Sequence, residues 1–126
     1  PLSMAAARAS LEKVLVPSAY EHLNHLNERL LAGCQNVIDK YGLPGYSVGI
    51  GAKGCVTFSP TKIIDYPSFK ENQDVELSEL AWLWNMNRGY MTPGREEEWT
   101  LSVTHQDADV DRYIEVFDEM AAAITK

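Results

Sequence analysis

The chain has 126 residues, 45% of them hydrophobic and 23% charged, enough for one core and too few for two ordinary domains. Its 11 basic against 18 acidic residues leave a net charge of -7, which argues against the phosphate backbone of nucleic acid and against an anionic membrane surface as partners. No run of about 18 apolar residues occurs, and the opening Pro1-Leu2-Ser3-Met4 lacks the basic and apolar regions of an export signal, so a soluble, cytoplasmic protein is expected.

Residues 2–16 are rich in alanine and carry Met4, Leu11, Val14 and Leu15 at helical spacing, with Pro17 closing a first helix. Its small residues Ala5, Ala6, Ala7 and Ala9 surround much of the circumference and suit close packing on more than one side, for which a short chain has few partners. Ser18 and Glu21 have the spacing of a capping box, and Leu23, Leu26, Leu30, Cys34, Val37 and Tyr41 recur until Gly42 and Pro44 stop a second helix. From Gly45 the period becomes two. Tyr46, Val48 and Ile50, then Val56 and Phe58, fit two strands of a hairpin turning at Gly51-Ala52-Lys53-Gly54. Residues 59–72, with Pro60 and Pro67, are expected to be a surface connection with little regular structure. A third helix over about residues 75–87 has Leu77, Leu80, Ala81, Trp82, Leu83, Trp84 and Met86 on more than one face and should be covered on two sides. Trp99, Leu101 and Val103 alternate as a strand, and Thr104 is expected to cap a last helix with the stripe Val110, Tyr113, Ile114, Phe117, Met120, Ala121 and Ile124. The expected fold class is α+β, a small antiparallel sheet of three to four strands packed against helices. Cys34 and Cys55 fall within a helix and a strand and read as reduced core thiols.

Several residue groups resemble reactive sites and are better explained otherwise. His22 and His25 share a helical face, but no third or fourth ligand completes a metal site. Ser102, His105 and Asp107 have the residue types of a hydrolytic triad at a spacing that rarely brings them to bear on one another. Gly49, Gly51 and Gly54 lead into a strand where a dinucleotide loop leads into a helix. Glu96, Glu97 and Glu98 run directly into an apolar strand. They read equally as a solvated face and as a segment with one carboxylate turned inward, which needs a partner or a function.

Particular strings are more informative than periodicity. Pro1-Leu2-Ser3-Met4-Ala5-Ala6-Ala7 resembles the Asn-Pro-Leu-x-Met-Ala-Ala segment of class III aminotransferases, and the second helix followed by Tyr41-Gly42-Leu43-Pro44 fits the same region. Arg88-Gly89-Tyr90-Met91-Thr92-Pro93-Gly94-Arg95-Glu96-Glu97 and Leu101-Ser102-Val103-Thr104-His105 resemble segments of the glutamate-1-semialdehyde 2,1-aminomutases of that family. Gly94, Glu96 and Thr104 stand where serine, phenylalanine and alanine are usual, departures that bear on the substrate more than on the family.

The resemblance covers essentially the whole chain and implies the C-terminal small domain of a fold-type I enzyme that binds pyridoxal 5'-phosphate. On that resemblance residues 1–126 are expected to form that one domain, with the first helix, about residues 2–16, linking it to a large domain outside this sequence. The Schiff-base lysine, the aspartate on the pyridine nitrogen and the phosphate-holding threonine of such enzymes lie upstream of the motif at Pro1. None of Lys13, Lys40, Lys53, Lys62, Lys70 and Lys126 matches the Schiff-base position. No catalytic residue is therefore carried over, no cofactor is expected on this chain alone, and the chain by itself is expected to be inactive. Glu97 matches a glutamate on the substrate side of the pocket, where an acid disfavours a second substrate carboxylate, with Arg95 as its candidate partner. The implied partners are the large domain, a second subunit in a homodimer and a small amino-acid-type substrate. Two other readings are a freestanding interaction module anchored by Trp82, Trp84 and Tyr90, and an unrelated small enzyme using Glu97 and His105 as acid and base.

Overall fold

The computed structural model describes residues 1–93 and 97–125, and for Glu97 the backbone alone. Arg95 and the side chain of Glu97 therefore lie outside the described residues.

The first helix, α1 (Leu2–Ala9), runs on into a π-helical turn, Ser10–Val14, in which the Leu15 amide reaches back to the Ser10 carbonyl at 2.9 Å. The long α2 (Pro17–Tyr41) starts at Pro17, whose missing amide and fixed φ suit a first helical position. Ser18 is consequently inside the first turn, Val16 holds the cap position, and the expected capping box does not form. Gly42 ends the helix in the left-handed region at φ 63°, and the amides of Gly42 and Leu43 both close on the Ile38 carbonyl.

Strands β1 (Tyr46–Ile50) and β2 (Lys53–Thr57) form an antiparallel hairpin with Gly49 opposite Gly54. The turn is Gly51 and Ala52 alone, so Lys53 and Gly54 belong to the sheet. Contrary to the expectation of an irregular connection, α3 (Tyr66–Asn72) follows. Its first turn holds Pro67, where proline is tolerated, and Asp65 caps it by accepting from the Ser68 amide at 2.9 Å. The Ser68 hydroxyl and amide hold the Asp65 carboxyl below the usual carboxylate range.

Helix α4 (Val75–Met86) buries Ser78, Ala81 and Asn85. Its apolar residues Val75, Leu80, Leu83 and Met86 face outward, at 57%, 39%, 57% and 37% exposure, so the helix is covered on one side rather than two. Strand β3 (Glu97–Thr100) pairs antiparallel with β2, giving a three-stranded sheet in the order β1-β2-β3. The expected continuation through Val103 is absent. After a last bond from the Leu101 amide to the Ala52 carbonyl, the Ser102 hydroxyl and the His105 ring take up amides of a turn. Helix α5 (Asp107–Ile124) is capped at Gln106, whose amide donates to the Asp109 carboxylate at 2.8 Å, and not at Thr104.

The core lies between one face of the sheet and the helices α2, α4 and α5. It contains Leu26, Leu30, Cys34 and Ile38 of α2, Val110, Tyr113, Phe117 and Met120 of α5, and Val56, Phe58 and Trp99 from the sheet side. Cys34 is in that core and Cys55 is half-buried on the other face of the sheet, and the two are not joined in a disulfide. Helix α1 buries no residue, and Leu2, Met4 and Leu11 are exposed.

Candidate functional site

The segments at residues 88–93 and 101–105 flank β3 on either side in the chain, and the fold brings them to one cleft against α5. They line a cleft of about 560 Å³ whose walls include Tyr90, Met91, Pro93, Leu101, His105 and Tyr113. The aromatic side of this cleft is fixed by edge-on contacts. Tyr90 meets Tyr113 at 5.4 Å between ring centres and 90° between planes, and Trp99 meets Tyr113 at 6.0 Å and 67°. The Tyr90 hydroxyl donates to the Asp109 carbonyl at 3.4 Å, and burial pushes its pKa up.

Arg88 opens the first of these strings, and its role here is structural. Its guanidinium lies 3.6 Å above the Trp84 ring and donates to Glu119 at 3.0 Å, so it ties the end of α4 to α5. Arg88 holds the Glu119 carboxyl below the usual range, with Arg112 adding to the effect. Trp82 donates to the Thr92 carbonyl at 3.4 Å. Trp82, Trp84 and Tyr90 are thus engaged within the domain, not splayed outward as free anchors. Two buried polar atoms, Thr92 Oγ1 and Trp84 Nε1, have no hydrogen-bond partner among the described residues.

Of the acidic run, Glu97 is placed by its backbone in β3 opposite Val56. Glu98 lies opposite Cys55 and pairs with Lys53 at 2.8 Å, an exposed cross-strand ion pair that raises the lysine pKa. The histidines serve as connectors. His22 Nε2 donates to the His105 carbonyl at 2.9 Å and His25 Nε2 pairs with Asp107 at 3.0 Å, so both link α2 to the start of α5. No group of three metal-ligating side chains occurs among the described residues.

Ser102 and His105 do meet, but the bond runs from the Ser102 amide to His105 Nδ1 at 2.9 Å, and the Ser102 hydroxyl is 3.1 Å from the Thr104 hydroxyl. With Asp107 engaged by His25, Ser102, His105 and Asp107 do not line up as nucleophile, base and orienting acid. The cleft can bind and orient, and among the described residues it holds no acid–base relay.

The same residues do not by themselves build a site for pyridoxal phosphate. All the described lysines are exposed; Lys40 is paired with Asp118 and Lys53 with Glu98, and none lines the cleft.

Sequence reasoning overlooked Asn27. It is buried at 3% exposure and accepts from the Trp99 indole at 2.8 Å while donating to the Lys53 carbonyl at 3.2 Å. The available signal was its place on the apolar stripe of α2, four residues after Leu23 and three before Leu30, where a polar residue needs a partner.

No family model matches the chain. A glutamate-1-semialdehyde 2,1-aminomutase 2 of Brevibacillus brevis is 32% identical over 116 residues, which are 91% of this chain and 27% of that protein. Among solved structures, a glutamate-1-semialdehyde aminomutase from Pseudomonas aeruginosa PAO1 in complex with PMP superposes with a TM-score of 0.90 at 20% identity, over 99% of this chain and 27% of that one. A β-phenylalanine aminotransferase from Variovorax paradoxus superposes with a TM-score of 0.81 at 25% identity, over 96% and 28%. The chain thus spans about a quarter of the length of the curated relatives it matches.

Proposed function

Because this chain belongs to the class III aminotransferase family, matching the C-terminal part of the glutamate-1-semialdehyde 2,1-aminomutases, we propose that it is the small domain of a pyridoxal-phosphate-dependent aminomutase or aminotransferase. In that role it closes over the active site and shapes which substrate enters. The cofactor supplies the electron sink for amino-group transfer, and the large domain holds it. This chain contributes a rigid aromatic cleft and excludes water. The chain alone turns over no amino donor.

The observation that carries this reading is a match to about a quarter of the relatives combined with apolar surface left open on α1 and α4. The outward stripe Val75, Leu80, Leu83 and Met86 is an arrangement that the large domain would cover. Glu97 is assigned to the substrate side of the closed site, with Arg95 as its partner. A carboxylate there favours an amine or a monocarboxylate over a dicarboxylate, since two like charges in a desolvated pocket repel. Glutamate-1-semialdehyde, named for the relatives, is a monocarboxylate and satisfies that condition. The assembled enzyme is proposed to be a cytoplasmic homodimer.

The decisive experiment reads the coding sequence in frame upstream of the Pro1 codon. A large domain bearing a lysine for the cofactor is the expected result, and a start codon at this point would overturn the reading. In the full-length protein, Glu97→Gln is then expected to lower KM for dicarboxylic amino donors several-fold relative to monocarboxylic ones. An unchanged ratio would remove Glu97 from the substrate pocket.

A further inference from the structure

The hairpin glycines, Asn27 and Trp99 meet at the sheet, where Gly54, Asn27 and Trp99 are buried and Gly49 lies at the exposed edge. Gly49 and Gly54 face each other across β1 and β2. A methyl group on Gly54 would come within 2.6 Å of Trp99 Cζ2, and one on Gly49 within 3.2 Å of Asn27 Nδ2 and 2.5 Å of the Lys53 carbonyl. The two glycines therefore leave a slot, filled by the Trp99 ring and the Asn27 amide. Within it Trp99 Nε1 donates to Asn27 Oδ1 at 2.8 Å, and Asn27 Nδ2 donates to the Lys53 carbonyl at 3.2 Å. Trp99 and Asn27 are 5% and 3% exposed.

Strand β3 needs such a device. It has four residues, one hydrogen-bonded neighbour and an acidic entrance, and its ion pair between Glu98 and Lys53 is exposed and tolerant of displacement. Little else in it specifies register, and a slip of one residue exchanges the two faces of a strand. A directional bond between two buried groups does specify it, because any other register leaves both the indole N–H and the Asn27 carbonyl without partners.

We propose that Asn27 is a positioning residue that fixes the register of β3, and with it the place of Glu97, by holding the Trp99 indole in the slot between Gly49 and Gly54. The inference rests on the reading of Glu97 as the substrate-side carboxylate. Asn27 touches no reacting atom. It acts through Trp99 on the strand two residues away from that indole's own position.

Asn27→Leu keeps the volume and removes both bonds, and Trp99→Phe keeps a ring on Gly54 and removes the donor. In the 126-residue chain, each is expected to speed amide exchange across the β2–β3 pairing about tenfold while the α2–α5 core is unchanged, the double variant being no worse than either single one. Uniform acceleration through all elements, an unchanged β3, or additive effects would overturn the assignment. Gly54→Ala, which displaces the ring without touching Asn27, is expected to reproduce the local effect and guards against a misfolded first variant. In the full-length enzyme, Asn27→Leu is expected to lower KM for dicarboxylic amino donors relative to monocarboxylic ones with kcat retained, in parallel with Glu97→Gln. Should Glu97→Gln leave KM unmoved while β3 exchange responds as described, the register role stands and the substrate reading of Glu97 fails.

Discussion

Gly42 carries the sharpest single-residue constraint in the chain. At φ 63° a side chain meets backbone crowding although open space lies around the position, so Gly42→Ala is expected to lower stability by about 1–2 kcal/mol, measured by urea unfolding. Glycine ahead of Pro44 made this stop readable from the sequence. The start of the same helix was not readable in the same way. Ser18 and Glu21 have capping-box spacing, but Pro17 suits the first helical position and moves the cap two residues back, from Ser18 to Val16. Arg88 shows a similar limit, since its motif marked it as notable and only the Trp84 ring and the Glu119 carboxylate show that it clamps two helices.

Helices α1 and α4 have the same property at the level of elements, as each offers the solvent an apolar surface. Because α1 and the turn after it bury no residue, removing residues 1–15 is expected to leave the urea-unfolding free energy of the remainder within about 0.5 kcal/mol. A larger loss would mean that α1 supports the core. An isolated helix of this length is marginal in water, so its alanines suit a neighbour outside the chain. The periodicity of α4 indicated coverage on two sides, while its buried stripe is the small and polar set Ser78, Ala81 and Asn85. Its apolar residues were identified correctly, but the side of the helix that this chain covers depends on where β3 and α5 stand. The missed α3 shows the reverse error. Pro60 and Pro67 read as breakers, whereas Pro67 sits in a first turn capped by Asp65.

Across the whole molecule, α2 and α5 are joined by a row of ion pairs, Arg29 to Asp111 at 2.6 Å and Lys40 to Asp118 at 2.7 Å, while Glu119 further along α5 receives Arg88. The Arg29 hydrogen bond holds the Asp111 carboxyl below the usual range, as Arg88 does for Glu119. For carboxyls depressed in the folded state, the stabilisation is fully present above the unfolded pKa and is lost as pH falls through the folded one. Stability is therefore expected to be level near neutrality and to decline below about pH 4, with Asp111→Asn reducing the steepness of that acid limb in thermal unfolding. These pairs are exposed, so the effect should weaken in added salt.

The sequence by itself determined the α+β class, the stripes of α2 and α5, the hairpin and the family resemblance, because each depends on neighbours along the chain and on period. It also placed most of α4 and the stop at Gly42. Only the tertiary structure decided that the strings at residues 88–93 and 101–105 share one cleft, that Asn27 reaches Trp99, and that α4 turns its apolar side outward. Those facts depend on contacts between residues up to 72 positions apart, such as Asn27 and Trp99, which no local pattern encodes.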